Sequence, residues 1–306
     1  MKFRIRKSLV FIGILLLTTS PSAHAKWVKV RTENFLIYSE RNRAITTKLV
    51  KELEHFRSFI LKFNPSKTLI EKPPLPIFVT RKRKYWKLTG SWSTAGLFAT
   101  GANGPFALMS ANERGRKFEL FSLDIILHEY VHYLNAHDET DLPPWLEEGL
   151  ADFLSTSEVS KNGMTIGKAA LSRLPALKLV KWYSTKDIME AKQILRGAGL
   201  FYAQSWLLVH MLHFDTRFNA NFQDLIAALV AGAPPSKALD DIYGTDYVTL
   251  DVALKSYFDS GTLSFSTVPW IAQDIKILEY VELAKSEARA LEKSLKKDLK
   301  SKSKRR

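Results

Sequence analysis

The feature that most constrains this chain is a short apolar stretch, residues 123–134, that carries His128, Glu129 and His132 in the pattern His-Glu-x-x-His. Its apolar residues recur three and four positions apart, which predicts an amphipathic helix with one face towards a core. Residues four apart lie on the same face of a helix, so both histidines would project together, roughly opposite that core. We therefore expect a helix that buries one face and carries chemistry on the other.

Two neutral imidazoles at this spacing can bind one Zn²⁺, with Glu129 beside the open coordination position. A catalytic zinc site normally has three protein ligands, so one more must come from elsewhere in the chain. Glu147 and Glu148 lie on a second predicted helix, and Asp152 follows Glu148 by four residues on the same face. Glu148 as the third ligand and Asp152 as a hydrogen-bond partner of a histidine N–H would complete the site. The alternative is that the histidines are surface residues and the carboxylates are solvated.

The first 25 residues predict a secretory signal peptide. Lys2, Arg4, Arg6 and Lys7 precede a short apolar run, and a small-x-small sequence ends at Ala25. The apolar run is too short for an ordinary membrane span, so we expect cleavage before Lys26 and export to the periplasm or the outside of a bacterial cell. The chain contains no cysteine, so the exported fold would have to be stable without disulfides.

The formal net charge of +14 is concentrated at the two ends of the chain. After the four basic residues of the signal segment, residues 291–306 carry eight Lys or Arg against two acidic residues. The rest is only weakly basic, and it shows no nucleic-acid motif with interleaved aromatic residues, so a nucleic-acid partner is not expected. We interpret the basic C-terminal tail as a solvated helix end that could make weak contact with anionic surfaces.

The order of predicted elements indicates an α+β fold. An amphipathic helix is predicted at residues 43–63, and the apolar spacing is mostly helical from about Ser155 onward, ending with a charged helix at 271–300. Strands are predicted at residues 27–30, 35–38, 77–80 and 106–109, the last as the second strand of a hairpin.

The change from strands to helices near Ser155 suggests two lobes that meet at the histidine helix. Gly149 interrupts the second helix, where a glycine costs about 1 kcal/mol relative to alanine, so we expect close packing there against the histidine helix. The expected organisation is a signal peptide at 1–25, an N-terminal lobe at 26–158, a helical lobe at 159–265 and a charged helical tail at 266–306.

These motifs resemble those of the gluzincin metallopeptidases, and the similarity is closest to the peptidase-MA-like group of exported bacterial proteins. In that family a Trp-Leu-x-Glu-Gly-x-Ala segment supplies the third zinc ligand through the Glu directly before the Gly. Here the segment begins at Trp145, so the ligand maps to Glu148 rather than Glu147. An acidic residue four positions later commonly supports the first histidine, which maps to Asp152. Residues 199–206 show a weaker similarity to a downstream segment of the group.

The resemblance implies a zincin-like fold, with a small mixed sheet and the active-site helix in the N-terminal lobe and helices in the C-terminal lobe. It implies zinc-dependent hydrolysis of peptide bonds in a peptide or protein substrate, with Glu129 as general base. In gluzincins a Tyr or His from the second lobe stabilises the oxyanion; Tyr202 is the first candidate here and His210 the second. No acidic motif for capture of a substrate N-terminus is evident before residue 123, which favours endopeptidase action.

Two other functions compete with this interpretation. One is a binding module of the bacterial envelope that retains a zincin scaffold with weak or absent catalysis, although all the expected zinc ligands are present in the sequence. The other is zinc-dependent hydrolysis of a bond that is not a peptide bond, because similar site chemistry would serve both reactions.

Overall fold

The computed structural model describes residues 27–63, 73–91, 96–110, 120–135, 142–160, 163–271 and 273–303. Its strands are β1 Val28–Arg31, β2 Phe35–Ser39, β3 Leu75–Thr80, β4 Gly96–Gly101, β5 Gly104–Ser110, β6 Glu158–Ser160, β7 Gly163–Ile166, β8 Ser266–Val268 and β9 Glu279–Glu282. Its α-helices are α1 Arg43–Phe63, α2 Lys82–Thr89, α3 Leu120–Asn135, α4 Pro144–Ser155, α5 Leu174–Leu179, α6 Thr185–Met189, α7 Ala198–Phe214, α8 Phe222–Val230, α9 Pro235–Tyr243, α10 Tyr247–Asp259 and α11 Lys285–Ser303.

The strands form a large mixed sheet and a small antiparallel one. The large sheet has the order β4-β5-β3-β2-β1-β9, and the small sheet has the order β6-β7-β8. In the large sheet β3 pairs in parallel with both β2 and β5. The pairs β1–β2, β1–β9 and β4–β5 are antiparallel. The expected α+β class is confirmed at this level, and the hairpin predicted before the histidine helix corresponds to β4 and β5.

Alternation along β3 separates two cores on the two faces of the large sheet. Ile77 and Val79 face the larger core, into which α1 and α3 also project apolar side chains. Phe78 faces a smaller core that it shares with Trp27. Helices α2 and α11 cover this second face, because they contribute the buried side chains Tyr85 and Leu295 to the smaller core.

Helix α4 packs between α3 and α7. The close approach expected at Gly149 is present, but its partner is α7 and not the histidine helix. A Cβ atom at Gly149 would lie 2.5 Å from the backbone oxygen of Ser205. The neighbouring residue Glu148 points to a different side, since successive residues are about 100° apart around a helix. Helix α7 is apolar on nearly every side and mostly buried, as its sequence predicts.

The segment after α10 differs from its sequence-based description. The charged helical tail expected at residues 266–306 begins with a strand, β8, which pairs with β7. The helix predicted at residues 271–300 begins only at Lys285, because residues 279–282 form β9 and pair with β1. Apolar spacing favoured a helix there, but hydrogen bonding along the open edge of β1 prevails. The tail is also more than a solvated end, since Leu295 is 1% exposed.

The described part of the chain contains no helix that is both long and apolar enough to cross a membrane. The predicted signal peptide at residues 1–25 lies outside the described residues.

Candidate metal centre

Helix α3 presents its two histidines away from the core, as the sequence pattern predicts. Ile126 and Tyr130 on the opposite side are buried in the larger core. The His128 and His132 side chains are 12% and 23% exposed, so a ligand can approach them while most of each ring is packed. The two Nε2 atoms lie 3.1 Å apart, one helical turn from each other along the same face.

Helix α4 brings a carboxylate to the same place. The Oε2 atom of Glu148 lies 3.2 Å from Nε2 of His128 and 3.3 Å from Nε2 of His132. Ligand atoms of these three residues all lie within 4.8 Å of one another. The structure therefore brings together the three side chains predicted to bind a metal, although the third comes from a separate helix.

Carboxylates also hold the far sides of both imidazole rings. Asp152 Oδ1 lies 2.8 Å from Nδ1 of His128, and Glu147 Oε1 lies 3.1 Å from Nδ1 of His132. Each Nδ1–H can thus donate to a carboxylate, which fixes the tautomer that leaves Nε2 free to bind a metal. The sequence predicted this role for Asp152 but not for Glu147, which it considered only as the neighbour of the third ligand.

This set of atoms fits a zinc ion. With both Nδ1–H groups donated to carboxylates, each Nε2 presents a lone pair towards the other and towards Glu148 Oε2. Three electron-rich atoms at one point repel one another unless a cation lies between them. Two imidazole nitrogens and one carboxylate oxygen are also a known set of protein ligands for catalytic zinc. Both the arrangement of the three atoms and their chemical type therefore fit a zinc ion.

The pocket stabilises positive charge strongly. Burial opposes the protonated form of His132, but hydrogen bonds to Glu147 and Glu148 outweigh it and raise its pKa to about 10. Burial likewise opposes the charged form of Glu148, but hydrogen bonds from both histidines outweigh it and lower its pKa to about 2. Protons and metal ions therefore compete for the same lone pairs, and binding of a metal would release protons.

Arg173 is a part of this centre that the sequence did not predict. It lies in the turn before α5, and its guanidinium donates hydrogen bonds of 2.7 and 2.9 Å to the two carboxylate oxygens of Asp152. Burial opposes the charged form of Asp152, but hydrogen bonds with His128 and Arg173 outweigh it and lower the pKa of the carboxyl group. Arg173 thus keeps Asp152 ionised and oriented towards His128.

Tyr202 on α7 faces the centre, as expected for the first oxyanion candidate. Its ring centroid is 6.3 Å from that of His128, and the Arg173 guanidinium lies 4.9 Å from it. Burial raises the pKa of Tyr202, and the charges of Glu148 and Glu129 add to the effect. The hydroxyl group therefore keeps its proton and is available as a hydrogen-bond donor.

His210, the second oxyanion candidate, is not brought to this centre. It lies about 12 Å further along α7 than Tyr202, at 1.5 Å per residue. Its Nε2 lies 2.9 Å from the Gly167 carbonyl oxygen and its Nδ1 lies 2.8 Å from the Tyr257 hydroxyl oxygen. Burial lowers its pKa to about 4. The structure gives His210 a role inside the helical core.

Glu129 is half-buried on α3, next to the first histidine. Its charge reaches Tyr202, so the expected general base and the expected oxyanion donor belong to one polar region. Two residues that no motif indicated, Glu147 and Arg173, complete this region.

In comparisons with known proteins, no family model and no curated protein matches this chain.

Proposed function

We propose that this chain is a zinc-dependent peptidase of the gluzincin type, in which His128, His132 and Glu148 hold the metal ion. The convergence of two Nε2 atoms and one carboxylate oxygen carries the proposal. The carboxylates on both Nδ1 atoms support it, because second partners of this kind orient metal-binding histidines. The mixed sheet with α3, followed by a mainly helical part, supports a zincin-like arrangement of residues 26–158 and 159–265.

Zinc bound in this way would lower the pKa of a water molecule to about 7 and polarise the carbonyl group of the substrate. Glu129 takes the proton of the attacking water and passes it to the leaving amine. Tyr202 donates a hydrogen bond to the oxygen on which negative charge develops. Asp152 and Glu147 hold the imidazole rings, and Arg173 holds Asp152. The chain thus divides proton transfer and charge stabilisation between α3 and α7.

The proposed setting is an exported protein that acts on peptides or proteins in the bacterial envelope or outside the cell. The predicted signal peptide supports export. We propose cleavage within chains rather than at their N-termini, which the absence of an N-terminus-capturing motif before residue 123 favours.

The first experiment measures zinc in the purified chain from Lys26 onward, together with hydrolysis of casein and a peptide library. We expect one zinc ion per chain and hydrolysis that a chelator abolishes. Glu129→Gln should keep the zinc and lose hydrolysis, because it removes only the base. Glu190→Gln is the matched control, since Glu190 is exposed and accepts a hydrogen bond from Tyr247 on the helical side of the protein. A chain that binds no stoichiometric zinc contradicts the proposal at its base.

A further inference from the structure

Two basic segments that lie far apart in the sequence share one face of the large sheet. One is α2 with the residue before it, and the other is α11. Tyr85 of α2 and Leu295 of α11 are both buried in the smaller core, against Phe78 and Leu108. The helices also contact each other directly, because Lys84 Nζ donates a hydrogen bond of 2.6 Å to Glu292 Oε1. The fold therefore places the outward sides of α2 and α11 next to each other.

The acidic residues of α11 turn inward after its first turn. Glu292 accepts a hydrogen bond of 2.9 Å from the Trp27 indole N–H in addition to that from Lys84. Asp298 Oδ1 accepts a hydrogen bond of 3.1 Å from the backbone N–H of Ala102. The outward side of this part of the helix is consequently left with positive charge alone, on the exposed residues Arg289, Lys293, Lys296, Lys297 and Lys300.

Helix α2 has the same division between inward and outward charges. Lys84 is turned towards the sheet, where it pairs with Glu40 and Glu292 and lies 5.2 Å from the Trp27 ring centroid. The outward side again carries positive charge, on the exposed residues Arg81, Lys82, Arg83 and Lys87. We call these residues, together with the exposed cations of α11, the basic face.

Both helices of the basic face are packed against the large sheet. A Cβ atom at Gly101 of β4 would lie 2.7 Å from the carboxyl carbon of Asp298, so α11 is in close contact with the sheet. Leu295 is 1% exposed. The positive charges thus stand on two packed helices instead of a free tail, and they present a fixed surface to a partner.

We propose that the basic face docks on a bilayer that contains anionic phospholipids. Each exposed Lys or Arg near such a surface strengthens binding by about five-fold. Lysines dominate the face, Tyr85 is buried and Trp86 is half-buried, whereas surfaces that bind single-stranded nucleic acid combine positive charge with exposed stacking rings. A set of exposed ammonium and guanidinium groups matches the anionic headgroups of such a bilayer.

The position of the basic face sets the orientation of the docked protein. Helices α2 and α11 cover one face of the large sheet, and α3 with the candidate metal centre packs on the other. A protein bound through the basic face therefore turns the metal centre away from the lipid. Docking of this kind is independent of whether the metal centre is catalytic.

The test uses the chain from Lys26 onward, which carries every described element, so that the apolar N-terminal segment cannot contribute. Binding is measured by co-sedimentation with vesicles of phosphatidylcholine that contain phosphatidylglycerol. We expect binding to these vesicles, little binding to pure phosphatidylcholine, and release near 1 M salt, where the Debye length is about 3 Å.

Lys293→Gln, Lys296→Gln and Lys297→Gln combined should weaken partitioning by about 100-fold. The matched control combines Lys181→Gln, Lys186→Gln and Lys192→Gln, which remove the same charge from exposed positions in the helical part. Both variants should keep the melting temperature and the zinc content of the parent chain. Equal binding to neutral vesicles, or an equal effect of the two triple variants, overturns the proposal. Tighter binding to a DNA duplex than to the anionic vesicles would assign the face to nucleic acid instead.

Discussion

Arg173 and Asp152 are joined by two hydrogen bonds, and the same Asp152 carboxylate lies 2.8 Å from Nδ1 of His128. A guanidinium therefore acts on the imidazole of His128 through one buried carboxylate. Arg173 also lies over the ring of Tyr202, so a single side chain contacts both the support of a ligand and the expected oxyanion donor.

This relationship predicts the effect of Arg173→Lys. An ammonium group keeps the charge but cannot form the paired hydrogen bonds of the guanidinium. We expect zinc affinity to fall by about 10- to 100-fold, as is typical when a second partner of a metal ligand is lost. Competition with a chromophoric chelator measures the change without reference to catalysis.

Arg217→Lys is the matched control for that experiment. Arg217 donates paired hydrogen bonds of 2.9 and 2.6 Å to Asp215, but its side chain is 56% exposed. Exposed ion pairs contribute about 0–1 kcal/mol, so this variant should bind zinc as the parent does. Equal loss of zinc in both variants would show that the effect is not specific to the Asp152 contact.

The adjacent carboxylates Glu147 and Glu148 have different proposed roles, Glu148 as a metal ligand and Glu147 as the support of a histidine. Glu148 lies against both Nε2 atoms, whereas Glu147 contacts only Nδ1 of His132. Glu148→Gln should abolish stoichiometric zinc binding, and Glu147→Gln should weaken it by about ten-fold at most, because the 41% exposed Glu147 has water as a substitute partner. Metal analysis after dialysis distinguishes the two. Retention of zinc by Glu148→Gln together with its loss in Glu147→Gln would reverse the assignment.

Tyr202→Phe tests the oxyanion donor. The substitution removes the hydroxyl group and keeps the ring that packs beside His128 and under Arg173. We expect kcat to fall by about 10²- to 10³-fold, with a small change in KM and full zinc content, because the hydrogen bond strengthens only as charge develops. Steady-state kinetics on a peptide substrate measure this. His210→Gln, which alters the same helix away from the centre, should leave KM and zinc content unchanged in the folded protein.

His210 predicts a dependence of stability on pH. Burial lowers its folded-state pKa to about 4, below the value of about 6.5 in an unfolded chain. The unfolded state therefore binds more protons between these two pH values. The contribution of His210 to the free energy of unfolding is fully present above about pH 6.5 and is lost as the pH falls towards 4. The loss is about 3 kcal/mol at most.

Urea unfolding at pH 7.5 and at pH 5 measures this difference. His210→Gln should lower stability at pH 7.5, since the hydrogen bonds to Gly167 and Tyr257 are disturbed. It should also reduce the difference between the two pH values, because its side chain does not titrate. An unchanged difference would show that His210 is not the group responsible.

Gly149→Ala tests the contact between α4 and α7. The added Cβ would meet the Ser205 backbone oxygen at 2.5 Å, and a backbone atom cannot move aside as a flexible side chain can. We expect a loss of about 3 kcal/mol or more in the free energy of unfolding. Gly199→Ala on α7 is the control, because its Cβ would have no neighbour within 4 Å. It should be neutral or stabilise by up to about 1 kcal/mol.

Sequence patterns predicted those parts of the fold in which local periodicity and burial agree. Residues 43–63 show apolar residues at helical spacing, and α1 has these same bounds. The histidine helix and the carboxylates of α4 follow the same logic, since spacing within a helix determines which side chains share a face. The α+β class is confirmed, and the structure brings His128, His132 and Glu148 together, while the roles of zinc and of Glu129 stay predictions.

Sequence patterns did not predict the contacts between segments that lie far apart in the chain. Strand β9 has four residues and pairs with β1 some 250 positions earlier in the sequence. The open edge of β1, and not a local sequence pattern, explains why these residues form a strand. Arg173 belongs to no motif; its importance comes from the turn that places it against Asp152. The basic C-terminal tail was visible in the sequence, but nothing in the sequence placed α11 beside α2.

The pairing of β9 with β1 has a consequence for how the chain folds during synthesis. Val30 lies opposite Tyr280, so the large sheet is complete only when the chain has emerged as far as β9. Until then β1 presents an open edge, and an open strand edge is a template for pairing with another chain. Closing so long a loop is also slow. A chain that waits in this state would depend on a chaperone, or on transport before folding, to keep β1 free for β9.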